Sequence, residues 1–191
     1  MTREHVDPQE LIASILSRMA ADLSVIMDRE VYIEPPITEL CVHRPAGRDR
    51  VHVSFKLGVE SEGKSKQGCL LLPLPDAVAL AGFMMMLGDE ATARERARTD
   101  LDGPFKEALL EVGKYVAGAC DAVLRSVGEN CSTRSDGCQG VRADVRPTLE
   151  YREGDPLFVA RARARVHTFE SFELILVLPA VQQAQLESIS A

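Results

Sequence analysis

Between Pro104 and Val127, six residues recur every three or four positions: Glu107, Glu111, Lys114, Gly118, Asp121 and Arg125. At about 100° per residue they share one side of a helix. Phe105, Val112, Val116, Ala119, Val123 and Val127 share the other side. So clean a division predicts that the polar set faces solvent. Its elementary chemistry is charge pairing: Glu111 with Lys114 at i,i+3, and Asp121 with Arg125 at i,i+4. The bland account of such a face is a solvated surface. The alternative is a surface that meets a partner.

Other chemistry finds little support. The five cysteines, Cys41, Cys69, Cys120, Cys131 and Cys138, are odd in number and irregular in spacing, so they form no disulfide framework. Cys131 and Cys138 match no zinc spacing, and no carboxylate or thiol pattern completes a site with His43 and His52. We expect no metal and no cofactor of the protein's own. Gly58, Gly63 and Gly68 are dispersed and form no phosphate loop, and neither a nucleophile elbow nor a triad context occurs. The Met84–Met86 run lies in an apolar helical pattern and reads as core filler.

The elements that must position the polar face form a repeat. The first half begins with a helix over residues 7–28. Asp7 is its N-cap, Pro8 its first residue, and Glu10 the partner of a capping box. Extended stretches follow at 29–36, 51–59 and 68–73, then a helix at 77–87. The second half repeats the order. A long helix runs over 104–127, a polar loop over 129–140, strands over 141–151, 157–167 and 172–178, and a short helix over 179–187. Arg161, Arg163 and Arg165 alternate along the middle strand and read as a solvated sheet face. We expect one α/β domain of α+β type over residues 1–191, built from half-repeats at about 5–88 and 101–190. A charged connector at 89–100 joins two helix-strand-strand-strand-helix halves that share a mainly antiparallel sheet.

Composition fits that picture. A chain of 191 residues with 46% hydrophobic and 27% charged residues can bury a core. Its net charge of −7 disfavours nucleic acid and anionic lipid, and no basic stripe with interleaved aromatics exists. The N-terminus lacks a signal-peptide core, and no apolar run suffices for a membrane span. A cytoplasmic location is expected, without membrane insertion.

The stretch 108–118 around Glu111 resembles the signature helix of the CheC/CheX/FliM chemotaxis family. Leu70–Asp76, entering the next helix, and the duplicated order of elements are also typical of that family. Its phosphatase pattern is Asp or Ser, three residues, Glu, two residues, Asn, then 22 residues and Pro. The second half supplies Glu107, Glu111 and Lys114, with 32 residues (115–146) before Pro147. The polar loop accounts for the ten extra. The first half supplies Val6, Glu10 and Ala13, with 22 residues (14–35) before Pro36. Neither half keeps the asparagine. Glu10 also has its capping role, and the stripe Ala13, Ser17, Ala20 and Ser24 is small enough for close approach of another chain.

The resemblance implies a partner: a phosphorylated, CheY-like response-regulator receiver, which carries its own Mg²⁺. In the family the asparagine positions the attacking water and the glutamate pairs with a receiver lysine. Because positioning is the main lever of such a reaction, the amide matters. Lysine offers only donors and cannot accept a hydrogen bond from water. We therefore expect receiver binding through Glu107, Glu111, Lys114 and Gly118, with weak or no phosphatase activity. The rival expectations are an active phosphatase, in which Glu107 or Glu111 orients the water, and a FliM-like flagellar-switch or scaffold component. CheX-like relatives also suggest a homodimer.

Overall fold

The computed structural model describes residues 7–127 and 131–180. Among them are α1 (Pro8–Met27), β1 (Val31–Ile33), β2 (Ile37–Cys41), β3 (His52–Ser61), β4 (Lys64–Pro73), α2 (Leu74–Met84), α3 (Asp89–Glu95), α4 (Gly103–Val127), β5 (Cys131–Val141), β6 (Leu157–Val166) and β7 (Phe172–Pro179). The seven strands form one sheet in the order β1-β6-β7-β4-β3-β5, with β2 continuing the β1 edge along β6. Every pairing is antiparallel. The expected mainly antiparallel α+β layering is what forms.

The strand order carries a swap. The hairpins β3–β4 and β6–β7 lie side by side through β4 and β7, where Leu70 faces Leu176. Each hairpin is then edged by the leading strand of the other half: β5 on β3, and β1 with β2 on β6. Alternation along each strand divides the side chains between two layers. Val53, Phe55, Leu57, Leu70, Leu72, Ala160, Ala162 and Leu176 face the helices and pack with Ile12, Leu16, Leu80, Leu109, Val112 and Val116. On the other face, Cys69, Leu71, Leu157, Val159, Ile175 and Val177 are covered by Val141 and Leu149, with no helix of the described residues in that cluster. Loops brace that cover: the Arg44 guanidinium donates to the Pro147 carbonyl at 2.7 Å and lies over the Tyr151 ring.

The second half departs from expectation at its first strand. Residues 129–140 read as a polar loop, yet 131–141 form β5, whereas 142–156 are irregular. An edge strand pairs on one side only and stays half-buried, so Ser132, Thr133, Arg134 and Gln139 suit it without apolar alternation. Gly137, at φ +98°, lies close to the register shift opposite Phe55–Leu57. The 89–100 connector contains the short helix α3, held by an ion pair of 2.8 Å between Arg96 and the buried Asp76.

Two smaller expectations are corrected. At α1 the Asp7 carboxylate accepts from the Gln9 N–H at 2.9 Å. Glu10 is exposed and makes no side-chain hydrogen bond among the described residues, so the capping box does not form. In the methionine run, α2 stops at Met84 because Met86 turns into the left-handed region at φ +59°. Met84 and Met85 are half-buried and Met86 is 90% exposed, so the run is only partly core. The predicted terminal helix beyond residue 180 lies outside the described residues, as does Val6.

Candidate functional site

Helix α4 positions the site. Phe105, Leu109, Val112, Val116 and Ala119 bury one side against the sheet and neighbouring helices. Gly113 allows close approach: a Cβ there would lie 3.1 Å from the Ser135 hydroxyl of β5 and 3.4 Å from the Phe55 ring of β3. Two turns on, the Asp121 carboxylate accepts from the Thr133 N–H and pins the helix to β5. The helix is thus fixed against an edge strand along its length, with its polar stripe outward.

That stripe brings together Glu107, Glu111 and Lys114. Lys114 Nζ lies 2.6 Å from Glu111 Oε1, with both side chains more than half exposed. Glu107 is exposed and has no ion-pair partner among the described residues. Gly118 follows at the next turn, with open space where a Cβ would stand. Glu10 is not brought to this group. It sits at the start of α1, and Ala13, Ala20 and Ser24 of the small-residue stripe are half-buried. Ser24 is occupied locally, accepting the Val31 N–H at 2.9 Å.

The stripe borders a groove of about 830 Å³. Its α4 side carries Glu107, Ala108, Leu110, Glu111 and Lys114; Met84 and Met85 come from the end of α2, and Ser135 and Gly137 from β5. Leu110 is 41% exposed between the charged residues. Sequence reasoning missed this apolar half of the site. Leu110 was detectable, because it falls on the same helical side as Glu107, Glu111 and Lys114. Ser135 and Gly137 carried no such signal, because their segment has no apolar period.

Chemically, the site offers carboxylates, one ammonium and a hydroxyl. The Glu111–Lys114 pair is solvent-exposed and worth at most about 1 kcal/mol, so a partner's cation can replace Lys114 at Glu111 at little cost. Lys114 itself presents only donors. No helix among the described residues is long and apolar enough to cross a membrane.

No protein-family model and no curated protein matches the sequence. The fold matches solved structures. FliY of Thermotoga maritima superposes with a TM-score of 0.71 at 14% identity, over 96% of each chain. The FliM middle domain of H. pylori gives 0.64 at 10% identity, over 94% of each chain. The chemotaxis protein CheX of Desulfovibrio desulfuricans gives 0.55 at 15% identity, over 87% of this chain and 97% of that one. The chain therefore has the CheC/CheX/FliM-like fold of chemotaxis proteins.

Proposed function

We propose that the protein is a cytoplasmic signalling component that binds a phosphorylated response-regulator receiver through the outward stripe of α4 and has little or no phosphatase activity. The observation that carries this reading is the Lys114–Glu111 pair at 2.6 Å. Where the family pattern expects an amide, an ammonium sits against the glutamate. It has no lone pair with which to accept a hydrogen bond from an attacking water. Glu111 remains able to meet a receiver lysine, because its present partner is held weakly. Mg²⁺ belongs to the receiver in this scheme.

The test is to incubate the protein with phosphorylated receivers of the same organism and to follow both complex formation and phosphate release. Binding without accelerated release is expected. Rapid release abolished by Glu111→Ala would instead make the protein an active phosphatase.

One observation favours a second reading. The FliY and FliM domains superpose over more of this chain than CheX does, and with higher TM-scores. On that basis the protein would be a flagellar-switch or scaffold component. Pull-down of flagellar proteins in preference to phosphorylated receivers would select this reading.

A further inference from the structure

We infer that the groove beside α4 is a helix-docking site, whose occupant is a partner helix with apolar side chains one turn apart and a lysine or arginine beside them. This deepens the receiver-binding reading and rests on it for the first partner to be tried. The starting observation is Leu110. A solvated helix face has no use for a leucine between Glu107, Glu111 and Lys114, yet Leu110 stands there 41% exposed. The half-buried Met84 and Met85 and the buried Ala108 line the same groove. Met86, next in the chain, projects with 90% exposure from a left-handed backbone that a non-glycine residue adopts at a cost. Leu110, Met84, Met85 and Ala108 line one groove, where a lone exposed leucine would mean little.

The chemistry of the lining selects the occupant. Methionine side chains are unbranched and polarizable, so they mould around aliphatic or aromatic groups of varied shape. The groove is open along α4 and about 830 Å³ in volume, room for several side chains of an amphipathic helix. Charge decides what flanks them. Lys114 neutralises Glu111, while Glu107 has no ion-pair partner among the described residues, so the rim carries one uncompensated negative charge. A cation on the partner helix would meet it.

Methionine-methyl NMR on the intact chain tests this with two titrants: a receiver locked in its activated form by beryllofluoride, and a synthetic amphipathic helix of leucine and lysine. Both are expected to shift the Met84 and Met85 methyl signals. Leu110→Asp, at an exposed position, should weaken each complex about tenfold or more. Glu107→Gln should weaken them less, and the difference should vanish in high salt. If the receiver binds while those methyls stay still and Leu110→Asp binds normally, the groove inference falls and the receiver reading stands. If the peptide binds and no receiver does, the groove stands and the receiver reading falls. Failure of both titrants overturns both. A dimer in light scattering that Leu110→Asp disperses would assign the groove to a second copy and overturn the inference.

Discussion

Asp121 and Thr133 join α4 to β5: one carboxylate oxygen accepts the Thr133 N–H at 2.7 Å, and the other takes the Arg125 guanidinium at 2.7 Å. Sequence spacing alone assigned Asp121 to an exposed charge pair with Arg125. In the fold it is also the anchor of the swapped edge strand. A charge-assisted bond to a backbone N–H contributes about 2 kcal/mol. Asp121→Ala should therefore lower Tm by about 5 °C and speed amide exchange at Thr133. Asp121→Asn keeps an acceptor and should recover most of the loss. Equal loss in both variants would mean that the charge, and not the tether, matters.

Lys114→Asn restores an amide that can accept a hydrogen bond from water, at a position already exposed on the α4 stripe. If that absence is what limits the reaction, the variant should accelerate phosphate release from a phosphorylated receiver by about tenfold or more over wild type. Lys114→Ala should not. The measurement is single-turnover decay of the labelled receiver. Wild-type decay already as fast as that with Lys114→Asn would show that lysine is no obstacle.

Legibility in the sequence followed physical constraint. Helix α4 was readable because its buried side must repeat with the helical period, and Phe105, Val112, Val116 and Ala119 do so. β3 and β6 were readable by alternation. β5 was not: an edge strand with Ser132, Thr133 and Gln139 half-exposed needs no apolar pattern, so its polar residues resembled a loop. The groove was lost with it, because Ser135 and Gly137 enter the site only through that strand. Met86 misled for another reason. Its apolar neighbours continue a helical pattern, but the chain turns left-handed there and leaves the core.

Two glycines should respond to alanine with opposite signs. At Gly68, in the central β4–β7 contact, a Cβ would stand 2.3 Å from the Val177 carbonyl oxygen. Backbone must move to admit it, so Gly68→Ala should cost about 2–3 kcal/mol. At Gly118, inside α4, nothing lies within 4 Å of the added atom. There alanine should gain about 0.5–1 kcal/mol from helix propensity alone. Urea denaturation of the two variants gives both values. A neutral Gly68→Ala would mean that the two hairpins are not packed as closely as this contact requires.

His52 should make the protein sensitive to mild acid. Its ring is buried beneath Gly47, and Nδ1 lies 2.8 Å from the Arg50 carbonyl, to which Nδ1–H donates. Burial disfavours the imidazolium and pulls the pKa below the usual 6.5. As pH falls below 6.5 the unfolded chain takes up a proton before the folded one does. Stability from this group is therefore complete above 6.5 and declines as pH drops toward the folded pKa, by at most about 1.4 kcal/mol per pH unit. An imidazole NMR titration with its midpoint at or above 6.5 would defeat this account.

The thiols should report unfolding selectively. Burial pushes Cys69, in β4, and Cys120, in α4, up to about 12. At pH 8 almost none of either is thiolate, the reactive form, and neither side chain is accessible to a reagent. Cys41 and Cys138 are half-exposed, and burial raises each of their pKa values as well. Iodoacetamide in native buffer should therefore modify Cys41 and Cys138 first, and slowly. Cys69 and Cys120 should label only through openings that expose the core, so their rates should rise together with urea and extrapolate to the global stability. Cys120 lies in the helix that carries the candidate site, which gives the comparison its force. Labelling of Cys120 well ahead of Cys69 would show that α4 opens independently of the sheet, and the site could not then be the fixed surface described above.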